Sequence, residues 1–265
     1  MTASSSLEPA LPARPTRYVE HTMGMPISLA LRGRHSDDEK AQAAWAQVMR
    51  ELRDVDDVFS TYKPDSFISR LNSGAITLHD CPPEVAEVLA LGETARRESG
   101  GAFNIELPGS GGELMLDPSG VVKGWAVEKA AATLAALPDT DFCLSAGGDI
   151  ICRTVDTATP PWRIGVEDPA DPSRILAVVP LRTGAVATSG TAHRGPHLLD
   201  PRTGRPPAGI ASVTVITPSL TWADIDATAA YAHGRNAAEW LRTRASRSGF
   251  IVWDDGTSTT VEQHH

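Results

Sequence analysis

The stretch Phe142-Cys143-Leu144-Ser145-Ala146-Gly147-Gly148-Asp149-Ile150-Ile151-Cys152 decides how this chain is built. Two short apolar segments flank a pair of glycines, and glycine reaches the positive φ angles that a tight hairpin turn requires. The stretch therefore predicts two antiparallel strands joined through Gly147-Gly148-Asp149.

Helices and strands alternate on both sides of this hairpin, but without a regular βαβ period. Alternating apolar residues and helical spacing predict strands at about 27–31, 162–166, 175–181, 213–216 and 249–253, and helices at about 38–58, 83–99, 125–137, 223–231 and 236–244. We expect Ser36 or Asp37 to cap the first of these helices. The pattern favours an α/β or α+β fold with mixed sheets that are rich in antiparallel pairs.

Length and composition indicate one globular domain. The chain has 265 residues, of which 41% are hydrophobic and 22% charged, and this suits one large core. We expect a flexible lead-in over residues 1–17, a domain over 18–255 and a tail over 256–265. The formal net charge of −9 argues against a nucleic-acid partner, because such binders normally present a basic face.

The cysteines and the amino terminus predict the cellular setting. Cys81, Cys143 and Cys152 form no CxxC pair, and an odd count does not resemble a disulfide scaffold. Cys143 and Cys152 are interpreted as small buried hydrophobic residues. Because no apolar run is long enough for a signal peptide or a membrane span, we expect a cytoplasmic protein.

The predicted helix near residue 224 places Asp224 and Thr228 one above the other on a single face, four residues apart. A carboxylate with a hydroxyl is a hard-oxygen pair that suits Mg²⁺. The alternative is structural: the carboxylate stabilises the start of the helix, and the threonine bonds back to the helix backbone.

A second polar segment runs from Asp117 to Gly124. Lys123 lies just before a predicted helix, where an ammonium and backbone amides together suit a phosphate. The carbonyl of Gly120 is a possible further oxygen ligand for a cation. The Walker loop spacing and the GxGxxG pattern are both absent, so a solvated turn remains the alternative.

A third polar segment, His197-Leu198-Leu199-Asp200-Pro201-Arg202-Thr203-Gly204, follows Thr188-Ser189-Gly190-Thr191. Polar groups gathered at proline and glycine turns often face a ligand, although an ordinary surface turn has the same composition. The G-x-S-x-G frame is missing here, which disfavours a serine hydrolase.

Taken in chain order, nine segments form one pattern. They are Met23-Gly24, Ser60-Thr61-Tyr62 with Ser66, Arg70-Leu71-Asn72, Gly101-Ala102-Phe103-Asn104, Asp117–Gly124, Ala146-Gly147-Gly148-Asp149, Thr188-Ser189-Gly190 with His197–Gly204, Val213-Thr214-Val215, and Ala223-Asp224 to Thr228. This order resembles the FAD:protein FMN transferase family, also called the ApbE family. The similarity covers about residues 20–253.

The resemblance implies a single α/β domain with a T-fold-like core that binds FAD together with Mg²⁺. Family members transfer FMN from FAD to a threonine hydroxyl of an acceptor protein and release AMP. Two alternatives stay open: an FAD pyrophosphatase that gives FMN and AMP, and a protein that binds FAD without turnover.

The resemblance also implies residue roles. Asp224 and Thr228 would bind Mg²⁺, with the carbonyls of Gly120 and Ala227 alongside. His197 would be the catalytic base or orienting group. The residues that would line the FAD site are Met23, Tyr62, Ala102, Phe103, Asn104, Asp117, Lys123 and Thr214. Asn104 departs from the family pattern, which usually has Asp at this position.

Overall fold

The computed structural model describes residues 14–109, 111–190 and 198–262 of the chain. Within those ranges the strands are β1 (Thr16–Thr22), β2 (Met25–Gly33), β3 (Glu106–Pro108), β4 (Leu114–Leu116), β5 (Thr140–Ala146), β6 (Asp149–Arg153), β7 (Trp162–Asp168), β8 (Asp171–Leu181), β9 (Thr183–Gly190), β10 (Ile210–Thr217), β11 (Ser248–Trp253) and β12 (Ser258–Val261).

Six α-helices connect these strands within the same ranges. They are α1 (Glu39–Phe59), α2 (Phe67–Asn72), α3 (Pro83–Glu98), α4 (Ser119–Ala135), α5 (Leu220–Ala232) and α6 (Ala237–Arg242), with short 3-10 turns at Leu78–Asp80 and Gly234–Asn236. Across the described part of the chain, no helix combines the length and apolar character needed to cross a membrane.

Eight strands form one sheet in the order β1-β2-β5-β6-β9-β10-β11-β12, and each neighbouring pair runs antiparallel. The predicted hairpin of β5 and β6 lies near the middle of this sheet, with β2 and β9 as its outer neighbours. Two separate hairpins, β3-β4 and β7-β8, complete the fold. The predicted fold class, a mixed α/β protein rich in antiparallel sheet, is confirmed.

The main core lies between this sheet and the helices. Alternate residues of the central strands, such as Leu29 and Leu144, point into it and are almost fully buried. Helices α1, α4 and α5 pack together over this face, and α5 also contacts β9 and β10. This packing brings the start of α4 and the middle of α5 close to the end of the β5-β6 turn.

Helix α4 begins at Ser119, six residues before the predicted start at Trp125. Asp117 explains the earlier start, because its Oδ1 accepts hydrogen bonds from the backbone N–H of Ser119 at 3.1 Å and from the Ser119 hydroxyl at 2.5 Å. A carboxylate that binds the first free N–H groups stabilises a helix start. Gly120 and Lys123 are therefore helical rather than part of a turn.

The predicted cap of α1 and the predicted domain ends also need correction. Asp38, rather than Ser36 or Asp37, is the N-cap of α1, and its carboxylate accepts from the N–H of Ala41 at 3.0 Å. Strand β1 already begins at Thr16, inside the expected lead-in. Residues 258–261, which the sequence places in a tail, form β12, and Val261 is buried in the main core.

Candidate functional site

Three charged side chains meet where α4, α5 and the β5-β6 turn come together. The ammonium of Lys123 on α4 contacts Oδ2 of Asp149, the first residue of β6, and lies 3.3 Å from Oδ1 of Asp224 on α5. Asp149 is only 2% exposed and Asp224 only 3% exposed. The sequence predicted Lys123 and Asp224 as functional residues, and the structure places them in direct contact.

The absence of a side chain at Gly124 allows α4 and α5 to approach closely at this point. A Cβ atom built there would lie 2.7 Å from the carbonyl oxygen of Leu220 and 3.1 Å from Cα of Thr221. Glu128, one turn along α4, joins the two helices further, since its Oε2 accepts from the N–H of Thr221 at 2.9 Å and the hydroxyl of Ser219 at 2.8 Å. Lys123 is thereby held beside Asp224.

The charges in this cluster do not balance. Burial raises the pKa of Asp224 to about 7, against the lowering effect of the Lys123 ammonium, and Asp149 raises it further. Burial lowers the pKa of Lys123, but the Asp224 and Asp149 carboxylates outweigh burial and leave it raised overall. Two buried carboxylates thus share one ammonium, and the excess negative charge favours an additional cation.

Asp224 also has an oxygen that is free to bind such a cation. Its Oδ2 atom is buried and has no hydrogen-bond partner among the described residues. A buried carboxylate oxygen without a partner is costly unless a ligand binds it. Thr228 lies one turn further along α5, and its hydroxyl is 3.1 Å from that of Ser189 at the end of β9.

This donor set fits Mg²⁺. No group of three or more His, Cys, Asp or Glu suited to a metal occurs in the described ranges, so a cation at Asp224 would need hydroxyl, carbonyl and ligand oxygens as well. Mg²⁺ accepts such a set, because it commonly takes one or two carboxylates together with phosphate oxygens and water. Ala227 is buried within α5, and Gly120 lies in the first turn of α4.

Asp226 shows what a purely structural carboxylate looks like on the same helix. Its Oδ2 accepts from Nε of Arg247 at 2.7 Å, and its Oδ1 lies 3.2 Å from a guanidinium nitrogen of Arg244. Both oxygens of Asp226 therefore have cationic partners, whereas one oxygen of Asp224 has no hydrogen-bond partner within the described ranges.

Three predicted flavin-site residues lie on different elements. Tyr62, in the loop between α1 and α2, is 95% exposed and so presents its ring to solvent. Met23 lies in the β1-β2 turn with a φ of 52°, and Gly24 follows at 70°. Thr214, buried on β10, has its hydroxyl 2.9 Å from that of Thr188 on β9.

The segment of Ala102, Phe103 and Asn104 has mainly structural contacts. Ala102 is buried, and the ring of Phe103 lies in the main core, next to Gly120. The side chain of Asn104 binds the backbone of Glu106 twice, donating to its carbonyl at 2.8 Å and accepting from its N–H at 3.1 Å. Asparagine supplies both a donor and an acceptor here, whereas an ionised aspartate would only accept.

A cavity of about 410 Å³ opens between α2 and the β3-β4 hairpin. Its walls include Thr61, next to Tyr62, and Asp117, at the start of the helix that carries Lys123. Such a volume lies in the range of small-molecule sites. Of the predicted flavin-site residues, Asp117 is the one that lines it directly.

His197 lies outside the described residues, but the turn after it is described. Asp200 binds the guanidinium of Arg202 through both oxygens, at 2.8 Å and 3.0 Å. Arg202 also donates to the carbonyl of Ala232 at 3.1 Å and lies 3.4 Å from Nδ1 of His233. The polar groups of this turn therefore tie it to the end of α5.

Sequence reasoning assigned no role to two residues that complete the cluster. Asp149 belongs to the predicted glycine turn and has no predicted role of its own, although its Oδ1 accepts from the N–H of Thr188 at 3.1 Å. Ser189 was considered only as a nucleophile, whereas its hydroxyl contacts Thr228. The signal that could have pointed to Asp149 is its position, because it is an acidic residue directly after the turn glycines Gly147-Gly148.

Comparison with known proteins identifies the family. The sequence model of the ApbE family matches residues 23–109 and 106–251, so the chain belongs to the ApbE family. The predicted resemblance is confirmed.

Several curated relatives carry the name FAD:protein FMN transferase. The Rhodobacter capsulatus protein is 30% identical over 207 residues, which cover 74% of this chain and 35% of that protein. The Salmonella typhimurium protein is 28% identical over 54% of this chain and 44% of its own length. The Vibrio cholerae protein is 28% identical over 67% of this chain and 70% of its own. The chain thus spans less than half of the first two relatives.

Solved structures agree on the fold. The ApbE protein of Thermotoga maritima superposes with a TM-score of 0.81 at 20% identity, over 94% of this chain and 97% of that one. The apo form of the Pseudomonas stutzeri flavinyl transferase ApbE also superposes with a TM-score of 0.81, at 23% identity, over 96% of this chain and 97% of that one.

Proposed function

We propose that this protein is a Mg²⁺-dependent FAD:protein FMN transferase. In this reaction, a threonine hydroxyl of an acceptor protein attacks the FMN phosphorus of FAD, and the bond to AMP breaks. The observation that carries the proposal is the buried Oδ2 of Asp224, which has no hydrogen-bond partner among the described residues, while Oδ1 of the same carboxylate lies 3.3 Å from the Lys123 ammonium. A diphosphate and its cation need such an arrangement of negative and positive groups.

Asp224 and Thr228 would hold the cation, with the carbonyls of Gly120 and Ala227 as further ligands. When bound, Mg²⁺ would neutralise charge on the diphosphate oxygens and align them. Lys123 would donate hydrogen bonds to a phosphate, and Asp149, itself held by the N–H of Thr188, keeps the ammonium at that position. Fixed positive charge at a phosphate stabilises the charge that develops during phosphoryl transfer.

The flavin half would extend towards Met23, Tyr62 and the cavity bounded by Asp117. Thr214 is buried on β10 and its hydroxyl lies 2.9 Å from that of the exposed Thr188, so it would act on the ligand through Thr188. His197, outside the described residues, would accept the proton of the incoming threonine hydroxyl, a task suited to an imidazole.

One experiment tests the reaction. The purified protein is incubated with FAD and Mg²⁺, with and without a threonine-bearing acceptor domain of a flavinylated protein, and AMP, FMN and acceptor mass are followed. AMP together with an acceptor mass increase of one FMN less one water is expected. AMP with free FMN regardless of acceptor would make the protein a pyrophosphatase, and no AMP would leave FAD binding alone.

Replacing Tyr62 with alanine is expected to weaken FAD binding by about five- to tenfold. The ring is exposed and would lose stacking on the isoalloxazine, a contact worth about 1 kcal/mol. Quenching of flavin fluorescence during titration measures the Kd. Tyr62→Phe keeps the ring and is expected to keep the affinity. Equal affinity of Tyr62→Ala and the parent protein would remove Tyr62 from the site.

A further inference from the structure

Two of the three free cysteines lie opposite each other on the central hairpin. Cys143 on β5 and Cys152 on β6 are direct register partners. Their neighbours Phe142 and Leu144 point into the main core, so the two cysteines point to the other face of the sheet. Because the two cysteines are nine positions apart along the chain, the sequence alone does not show that they are partners.

The hairpin geometry sets the distance between the two strands at this pair. Ala146 and Asp149 are partners on either side of the Gly147-Gly148 turn, whose φ angles are 56° and 97°. A two-residue turn of this kind closes on a hydrogen-bonded pair, and hydrogen-bonded and non-hydrogen-bonded pairs then alternate. Three pairs further on, Cys143 and Cys152 therefore form a non-hydrogen-bonded pair.

Pairs of this kind have the geometry that a disulfide needs. Opposed Cα atoms in a non-hydrogen-bonded pair are about 4.5 Å apart, and disulfides span Cα separations of about 4.4–6.8 Å. Bond formation therefore requires side-chain rotation and little movement of the strands.

The residues around the two cysteines shield them from large reaction partners. The β7-β8 hairpin covers this face, and Cys152 is 2% exposed in a cluster with Trp162, Ile164 and Val186. Cys143 is less buried, so it is the one that a small reagent reaches first. Cys81 lies elsewhere, after the 3-10 turn that precedes α3.

We propose that Cys143 and Cys152 are an oxidation site at which an intrachain, cross-strand disulfide forms. With a low-molecular-weight disulfide as oxidant, the Cys143 sulfur attacks it and releases one small thiol. The Cys152 sulfur then displaces the second small thiol from the mixed disulfide. One Sγ–Sγ bond forms, both cysteines lose a proton, and the two electrons reduce the oxidant to two thiols.

Both thiols are expected to react slowly at neutral pH. Burial raises the pKa of Cys143 to about 11 and that of Cys152 to about 12, while Arg32 opposes this effect at both. Since the thiolate is the nucleophile, the exchange is best run at alkaline pH. The product would join β5 to β6 directly below the turn that presents Asp149.

Oxidation of the intact protein tests the proposal. The protein is incubated with oxidised glutathione at alkaline pH until the thiol count is constant, then acid-quenched, unfolded and titrated. The Cys143 and Cys152 thiols are expected to disappear from the count, with a mass loss of two hydrogens for the cross-link, whereas glutathione that reacts with Cys81 stays attached and adds its own mass. A non-reducing peptide map is expected to show a Cys143–Cys152 cross-link, and the oxidised protein to unfold about 3–8 °C higher.

Matched serine variants complete the test. Cys81→Ser is expected to leave one disulfide and no free thiol, whereas Cys143→Ser and Cys152→Ser are each expected to form none. A constant count of three thiols, or a cross-link that contains Cys81, would overturn the proposal. This outcome is independent of FAD turnover, because none of the three cysteines belongs to the proposed transferase site.

Discussion

Replacing Asp224 with asparagine is expected to reduce AMP release from FAD by about 1,000-fold or more. The substitution keeps the shape of the side chain and removes the negative charge of the carboxylate, whose Oδ2 has no hydrogen-bond partner in the described part of the chain. Loss of a metal ligand removes several kcal/mol of charge stabilisation from the reaction, and each 1.36 kcal/mol is about tenfold in rate.

The same variant is expected to unfold at or above the temperature of the parent protein. Burial raises the pKa of Asp224, as it does that of Asp226, but Asp224 also lies beside a second carboxylate, Asp149, which adds to the cost of its charge. A neutral amide removes that cost, and Lys123 keeps its contact with Asp149. Gain of stability with loss of activity is the pattern expected of a functional residue.

Two measurements check this prediction. AMP release is followed by chromatography, and Mn²⁺ affinity is measured by calorimetry in the absence of FAD. We expect Mn²⁺ binding to weaken in Asp224→Asn along with the loss of turnover. Unchanged AMP release would refute the metal site, while lost turnover with unchanged Mn²⁺ affinity would assign Asp224 another role.

The sequence predicted the β5-β6 hairpin well because a hairpin is a local structure. Its turn glycines and its two apolar segments lie within eleven residues of each other. Strand β9 was missed because four of the eight residues in its sequence, Thr183-Gly184-Ala185-Val186-Ala187-Thr188-Ser189-Gly190, are glycine or alanine, which have weak strand preference. It becomes a strand by pairing with β6 on one side and β10 on the other.

The start of α4 shows how tertiary contacts override local preference. Pro118-Ser119-Gly120 has the composition of a turn, and glycine disfavours helix. The hydrogen bonds from Ser119 to the Asp117 carboxylate and the close approach of Gly124 to α5 are specific to this fold, and neither is visible as a helical pattern. As a result, Lys123 lies within a helix and is directed at Asp224.

The site was predictable in its residue types and less so in its arrangement. Asp224 with Thr228 followed from helical spacing, and Lys123 from its position before a helix. The role of Asp149 depends on three elements that are distant in sequence, so residue patterns alone did not reveal it. For the Asp200–Arg202 turn, the sequence left a ligand-facing turn and an ordinary surface turn open; its carboxylate and guanidinium bind each other, and the guanidinium also binds the end of α5.

Replacing Asp226 with asparagine is expected to lower stability by about 3 kcal/mol and to leave AMP release per folded molecule unchanged. Removing one member of a buried ion pair leaves the other charge uncompensated, which costs about 3–5 kcal/mol. We expect the lower end of this range of cost, because both arginines keep another partner: Arg244 keeps its ion pair with Glu98 at 2.7 Å, and Arg247 keeps its hydrogen bond to the carbonyl of Ala245 at 2.8 Å.

For a chain of this size, such a loss corresponds to a fall in Tm of about 6–12 °C, measurable by calorimetry. Asp57→Asn is the matched control, because Asp57 pairs with Lys63 on the surface and exposed pairs contribute about 0–1 kcal/mol. The two variants would then show opposite effects. The Asp224 carboxylate would be needed for turnover and not for the fold, whereas the Asp226 carboxylate would be needed for the fold and not for turnover. A large activity loss in folded Asp226→Asn would contradict that division, because it would mean that the Arg244 and Arg247 pairs position the α5 site as well as stabilising it.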